Sequence, residues 1–219
     1  MTPALYGHPL SSFTWKALIA AYERDVAFEF RMLGPDHLEN LARIGTLTPT
    51  GQFPAVVDGE REIVESNAVI EYFDLFHGRG EPMVPQDRRE ALEARMLTEV
   101  FDDYVHLQVQ RIVGNALRAP AERDPTGVEY AHGLIERCYL WLEKRLPAGQ
   151  WASCGRFTIA DCAAAPALFY ADWVHPIGEH LPKLAAYRAR LLSRPSVART
   201  VDEARPYRHL FPLGAPDRD

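Results

Sequence analysis

The spacing of apolar residues changes partway along this chain, from short strand-like runs mixed with helical ones to helical spacing alone. Ala4-Leu5-Tyr6 is a short apolar run, and from Phe13 to Tyr22 the spacing becomes helical, which predicts a strand and then a helix. From Val26 to Met32 the apolar residues Val26, Phe28, Phe30 and Met32 alternate with Ala27, Glu29 and Arg31, the period of a strand with one better-buried face. A polar stretch punctuated by Gly and Pro follows. Ala55-Val56-Val57 and Glu62-Ile63-Val64 then flank Asp58-Gly59, and Asp-Gly between two β-rich runs predicts a hairpin. A helix from about Ser66 to Phe76 closes the unit. The order β-α-β followed by β-β-α predicts a small sheet covered by helices.

Beyond Gly78 to Pro85, a stretch rich in Gly and Pro, the strand period disappears. Asp87 to Leu117 is one long amphipathic pattern, Val128 to Leu146 a second, and Thr158 to Trp173 a third and more apolar one, so the rest predicts a helical bundle. Thr158-Ile159-Ala160-Asp161 matches a capping box, and Pro182 suits a first helical turn. The expected division is a sheet-bearing unit at 1–78, a linker at 79–86 and an all-helical unit at 87–219.

With 219 residues, 47% of them hydrophobic, the chain can bury a sizeable core. A formal net charge of −6 gives no attraction to nucleic acid or to an anionic membrane surface, so neither is an expected partner. The N-terminal MTPALYGHPLSS has no basic segment followed by an apolar one, and no uninterrupted apolar run is long enough to span a bilayer; a cytoplasmic protein is expected. Cys138, Cys154 and Cys162 are odd in number and lack C-x-x-C spacing, which argues for free thiols. The eight histidines show no zinc-ligand spacing, so no metal site is expected.

Three separated segments resemble the soluble glutathione transferases in order and spacing. The first is Leu5 to Lys16, whose Gly7-His8-Pro9-x-Ser11 portion is similar to the phi class and whose Ser11-Ser12-x-x-Trp15-Lys16 is similar to the zeta class. The second is Gly51-Gln52-Phe53-Pro54-Ala55 with Glu65-Ser66-Asn67-Ala68-Val69-Ile70-Glu71-Tyr72, and the third is the capping box at Thr158. The resemblance implies a thioredoxin-like β-α-β-β-β-α unit followed by helices, glutathione as co-substrate, an apolar electrophile as second substrate, and a homodimer with surface from Glu71–His77 and Ala91–Val105.

Glutathione is an extended tripeptide, and a strand edge binds such a chain through main-chain hydrogen bonds. A cis proline at Pro54 leaves the N–H and C=O of Phe53 facing outward for this purpose. Glu65-Ser66 stands where a strand ends and a helix begins, so backbone N–H groups, the Ser66 hydroxyl and the positive helix end converge on an anion, here the γ-glutamyl carboxylate. An ordinary helix cap and a turn proline are the plainer accounts of the same residues. The chemistry requires a thiolate, which a hydrogen-bond donor and a helix N-terminus both favour. Ser11 is the expected catalytic residue, with Ser12 and Tyr6 as competitors and simple helix capping as the alternative for the serine pair. Ser12, Gln52, Phe53, Pro54, Glu65, Ser66 and Asn40 are the expected glutathione contacts, with His37 and Arg43 also available for the glycyl end. Phe13, Tyr104, Gln108, Arg111, Phe169 and Trp173 are candidate walls for the electrophile. A glutathione-dependent cis-trans isomerase and a non-catalytic interaction domain of the same fold are the competing functions.

Overall fold

The computed structural model describes residues 2–219. Strand β1 (Ala4–Gly7) lies within a four-stranded sheet ordered β2-β1-β3-β4. β2 (Glu29–Met32) pairs with it in parallel, β3 (Ala55–Asp58) antiparallel with Tyr6 opposite Ala55, and β4 (Arg61–Val64) returns against β3 as a hairpin. The turn is Gly59-Glu60, with Gly59 at φ 62°, a conformation that costs a residue lacking Cβ nothing. β2 is shorter than its alternation predicts. Val26 N–H closes α1 (Ser12–Glu23) on Ala21 C=O at 2.9 Å, which commits the first residues of that run to ending a helix.

One element was not legible in the sequence: α2 (Leu38–Leu47) lies between β2 and β3, making the order β-α-β-α-β-β-α with α3 (Ser66–Phe76). It buries only Asn40 and Ile44, so its apolar stripe is too thin to stand out among the polar residues around it.

The helical half comprises α4 (Arg88–Glu99), α5 (Leu107–Ala116), α6 (Pro125–Arg145), α7 (Ile159–Val174), α8 (Pro182–Ser193) and α9 (Pro195–Ala204). Between α4 and α5 the chain takes the wider turns of a π-helix over Val100–His106. At the head of α7, Thr158 and Asp161 form the capping box: Thr158 N–H donates to the Asp161 carboxylate at 2.9 Å, and Ala152 N–H and the Tyr187 hydroxyl donate to its other oxygen.

The two halves share α1. Leu18, Ala17 and Ala21 pack on the sheet with Leu5, Val56 and Phe73, whereas Trp15, Ile19 and Ala20 enter the core of the bundle beside Phe169 and Tyr170 on α7. Lys16, on the same helix and 1% exposed, forms an ion pair with Asp102 of the π-helical segment. Among the described residues no helix is long and apolar enough to cross a membrane, and Cys138, Cys154 and Cys162 are free.

Candidate active site at the junction of the two halves

Gly7 ends β1 where the chain must pass within reach of the Thr14 side chain: a Cβ there would meet Thr14 Cγ2 at 2.5 Å. The loop that follows is pinned on several sides. Ser11 N–H donates to His8 C=O at 2.9 Å, Trp15 Nε1–H to Pro9 C=O at 2.6 Å, and the Tyr170 hydroxyl to Leu10 C=O at 2.6 Å. The result is a rigid strand-to-helix turn that delivers Ser11 as the N-cap of α1. Its Oγ accepts Thr14 N–H at 3.3 Å, which leaves the hydroxyl proton free. Ser12, the first residue of the helix, is buried with Oγ 2.6 Å from His106 Nε2.

Across a cavity of about 700 Å³ stands a second helix start. The Phe53–Pro54 peptide bond is cis, and both residues precede the first β1–β3 pair, so Phe53 lies at the open end of that ladder. Glu65 has φ 71° and ψ 127°, and the sharp turn this makes places Ser66 as the first residue of α3. The cavity is lined on this side by Thr48, Thr50, Gln52, Phe53, Pro54, Glu65 and Ser66, with Ser11 and Ser12 at its floor. The opposite side is Leu10, Phe13, Leu107, Val109, Val113, Tyr170, Phe211 and Pro212, with Asp102, Asp103, His106 and Gln110 between the two. A polar trough thus runs into an apolar one, with serine hydroxyls where they meet.

Of the residues expected at this site, Ser11, Ser12, Gln52, Phe53, Pro54, Glu65 and Ser66 come together on one cavity. Asn40 does not. It is buried inside α2 with Nδ2 donating to Met32 C=O at 2.8 Å, so it ties α2 to β2 and has no face on the cavity. His37 precedes α2, and Arg43 pairs with Glu62 at 2.5 Å; neither lines the cavity. Tyr6 packs on the other side of β1 with Leu33, Ile44 and Ala55.

On the electrophile side only Phe13 of the expected walls lines the cavity. Tyr104 is exposed, Arg111 donates to Gln108 Oε1 at 2.9 Å, and Phe169 and Trp173 pack on each other in the bundle. Tyr104, Gln108 and Arg111 share one helical face, and the face two residues further on, with His106, Gln110 and Val113, is the one that lines the cavity. Nothing in the sequence signals Phe211 and Pro212, which reach the site only because the C-terminal tail folds back, held by ion pairs of Asp219 with Arg205 and Arg208.

Two family models match the chain, that of the glutathione S-transferase N-terminal domain over residues 5–82 and that of the C-terminal domain over residues 87–190. The chain belongs to the glutathione S-transferase family. A glutathione S-transferase of Silene vulgaris is 27% identical over 216 residues, covering 92% of this chain and 97% of its own. Glutathione S-transferase F6 of Arabidopsis thaliana is 26% identical, with 90% and 98% covered. Among solved structures, a glutathione S-transferase from Methylobacterium radiotolerans in complex with glutathione sulfonate superposes with a TM-score of 0.77 at 25% identity, over 92% of this chain and 95% of that one. Transferase-family membership and a four-stranded mixed sheet followed by a helical bundle therefore agree. Among the described residues no group of three or more His, Cys, Asp or Glu side chains is arranged to hold a metal ion.

Proposed function

We propose that this chain is a glutathione transferase that holds glutathione as its thiolate on the Ser11 hydroxyl and presents it to an apolar electrophile in the cleft between the two halves. The observation that carries this reading is the placement of Ser11 and Ser66, two residues at helix starts, on one cavity with the Phe53–Pro54 edge between them. The γ-glutamyl carboxylate docks at Ser66 and the N-terminus of α3, and the cysteinyl main chain pairs with Phe53. Gln52, beside Thr48 and Thr50, meets the glycyl end, which Asn40 does not reach. The sulfur then lies at the N-terminus of α1, where an unengaged hydroxyl proton and the helix dipole both favour the charged form. Leu107, Val109, Val113 and Phe211 supply the apolar surface for the second substrate.

The same proposal divides the chain at 79–86, puts it in the cytoplasm as its unpaired cysteines suit, and makes it a homodimer. Leu75, Phe76, Leu92 and Met96 are exposed on α3 and α4, which Arg95 and Glu71 tie together at 3.0 Å. Nothing at the site favours the isomerase or the interaction-domain alternative.

Calorimetric titration with reduced glutathione tests the binding half of the reading. Saturable binding that Ser66→Ala weakens is expected, and the absence of saturation up to about 10 mM overturns it. Turnover of an activated aryl halide tests the other half: Ser11→Ala lowers kcat by roughly 10²-fold with glutathione affinity little changed, the scale for losing one donor to a developing anion.

A further inference from the structure

The contact between Ser12 and His106 joins the two halves of the molecule at the cavity wall, and glutathione binding as read above does not require it. Ser12 Oγ and His106 Nε2 are 2.6 Å apart, at 6% and 2% exposure. α1 and the π-helical segment run antiparallel here, and one turn deeper Lys16 and Asp102 make a second polar rung. The imidazole is held between Phe13, edge-on with centroids 5.1 Å apart, and Tyr170 at 6.4 Å. A ring so clamped, reaching across to one hydroxyl, is placed to fix where that hydroxyl points.

Which way the hydrogen bond runs follows from the other ring nitrogen. His106 Nδ1 is buried and has no partner. A buried N–H without an acceptor costs more than an unused lone pair, so the proton belongs on Nε2 and Nδ1 carries the lone pair. Nε2–H then donates to Ser12 Oγ. Gln110 Nε2 lies 2.9 Å from the same nitrogen, and a proton on His106 Nε2 requires that carboxamide to be turned end for end, so that its oxygen faces the ring as a second acceptor. Burial and, secondarily, the nearby Lys16 cation hold the imidazole pKa down to about 3, so the ring is neutral at physiological pH and acts neither as a cation beside the sulfur nor as a general base. Its neighbours Asp102 and Asp103 leave that neutral state in place.

We propose that His106 is a positioning residue which, by donating Nε2–H to Ser12 Oγ, turns the Ser12 proton into the cavity so that the glutathione sulfur is met by two hydroxyls, Ser11 and Ser12. This rests on the reading of the cavity as a glutathione site. A hydroxyl that accepts a hydrogen bond is also a better donor, so the imidazole both aims and strengthens the second contact. Ser12 thus joins Ser11 as a catalytic hydroxyl on the sulfur, and His106 acts only through Ser12.

The test is a pH titration of the ultraviolet thiolate absorbance of bound glutathione in the wild type, Ser12→Ala, His106→Phe, the double variant and His106→Gln. Ser12→Ala and His106→Phe are expected to raise the bound thiol pKa by the same amount, lowering the thiolate population below that pKa by about three- to tenfold, the scale of one hydrogen bond to an anion. The double variant should add nothing further. His106→Gln, which returns an N–H donor, should recover part of the shift, and kcat should fall with the KM for glutathione held. A Ser12→Ala thiol that titrates as in the wild type overturns the proposal, as do additive effects in the double variant; both readings remain available from Ser12→Ala and His106→Gln if His106→Phe does not fold. Failure of the wild type to bind glutathione at all overturns the functional reading along with this one, whereas intact binding with an unmoved thiol pKa overturns this one alone.

Discussion

Glu65 holds φ 71° with ψ 127°, a conformation that glycine adopts freely and that costs a residue with a Cβ on the order of 1–3 kcal/mol. The cost is retained because the turn it makes sends Glu65 C=O into the first bond of α3, to Val69 N–H at 2.9 Å, and sets Ser66 on the cavity. Glu65→Gly should therefore raise the urea midpoint of unfolding, by about 1 kcal/mol in stability, while weakening glutathione binding through the lost carboxylate; a variant that is less stable would show that the conformation is not strained. His106 gives a pH dependence of known sign. Its folded pKa is pushed down to about 3 by burial against an ordinary value of 6.5, so between those values the unfolded chain binds the extra proton. Its contribution is complete above pH 6.5 and is lost as the pH falls toward 3, with a limiting slope of about 1.4 kcal/mol per pH unit. Chemical denaturation over that range should show a shallower acid loss in His106→Phe than in the wild type.

At the scale of elements, the start of α7 concentrates the most hydrogen bonds on one side chain. Asp161 is fully buried and accepts from Thr158 N–H, Ala152 N–H and the Tyr187 hydroxyl, so it holds α7, the loop before it and α8 together. Asp161→Asn turns one acceptor oxygen into a donor facing another donor. It should cost about 3 kcal/mol by urea unfolding, whereas Thr158→Ala, which removes only cap bonds, should cost about 1 kcal/mol. This capping box was legible from four residues because a cap is a local device. The π-helical segment was not: Val100–His106 continues the same amphipathic pattern as its flanks, and its tertiary packing is against α7 and α6, which come from far along the chain. The packing of that segment decides which helical face meets the cavity, and Tyr104, Gln108 and Arg111 lie on the other one.

At the scale of the molecule, α1 is the shared support of both cores, and the Lys16–Asp102 ion pair crosses their boundary. Removing one partner of a buried pair leaves an uncompensated charge, at a cost of about 3–5 kcal/mol. Lys16→Met alone should be strongly destabilising, and Lys16→Met combined with Asp102→Leu should recover much of the loss. A double-mutant cycle on unfolding measures the difference, and simple additivity would show that the two charges do not depend on each other.

What the sequence alone determined is what local chemistry can write. The strand and helix periods, the Asp58-Gly59 hairpin signal, the cap at Thr158, and the spaced segments around Ser11, Pro54 and Ser66 all depend on residues near one another in the chain, and seven of the eight expected site residues accordingly meet on one cavity. Asn40 failed because its amide had a nearer use, closing α2 onto the Met32 carbonyl, and a sequence does not show which partner a polar side chain finds first. Only the tertiary structure decided the half of the cavity built by the bundle. His106, Gln110, Tyr170 and Phe211 reach it through the packing of the π-helical segment against α7, that of α7 on α1 and the return of the tail, each set by contacts between residues distant in sequence. Pairings of that kind are fixed by the collective burial of two cores against a common helix, which no single segment encodes.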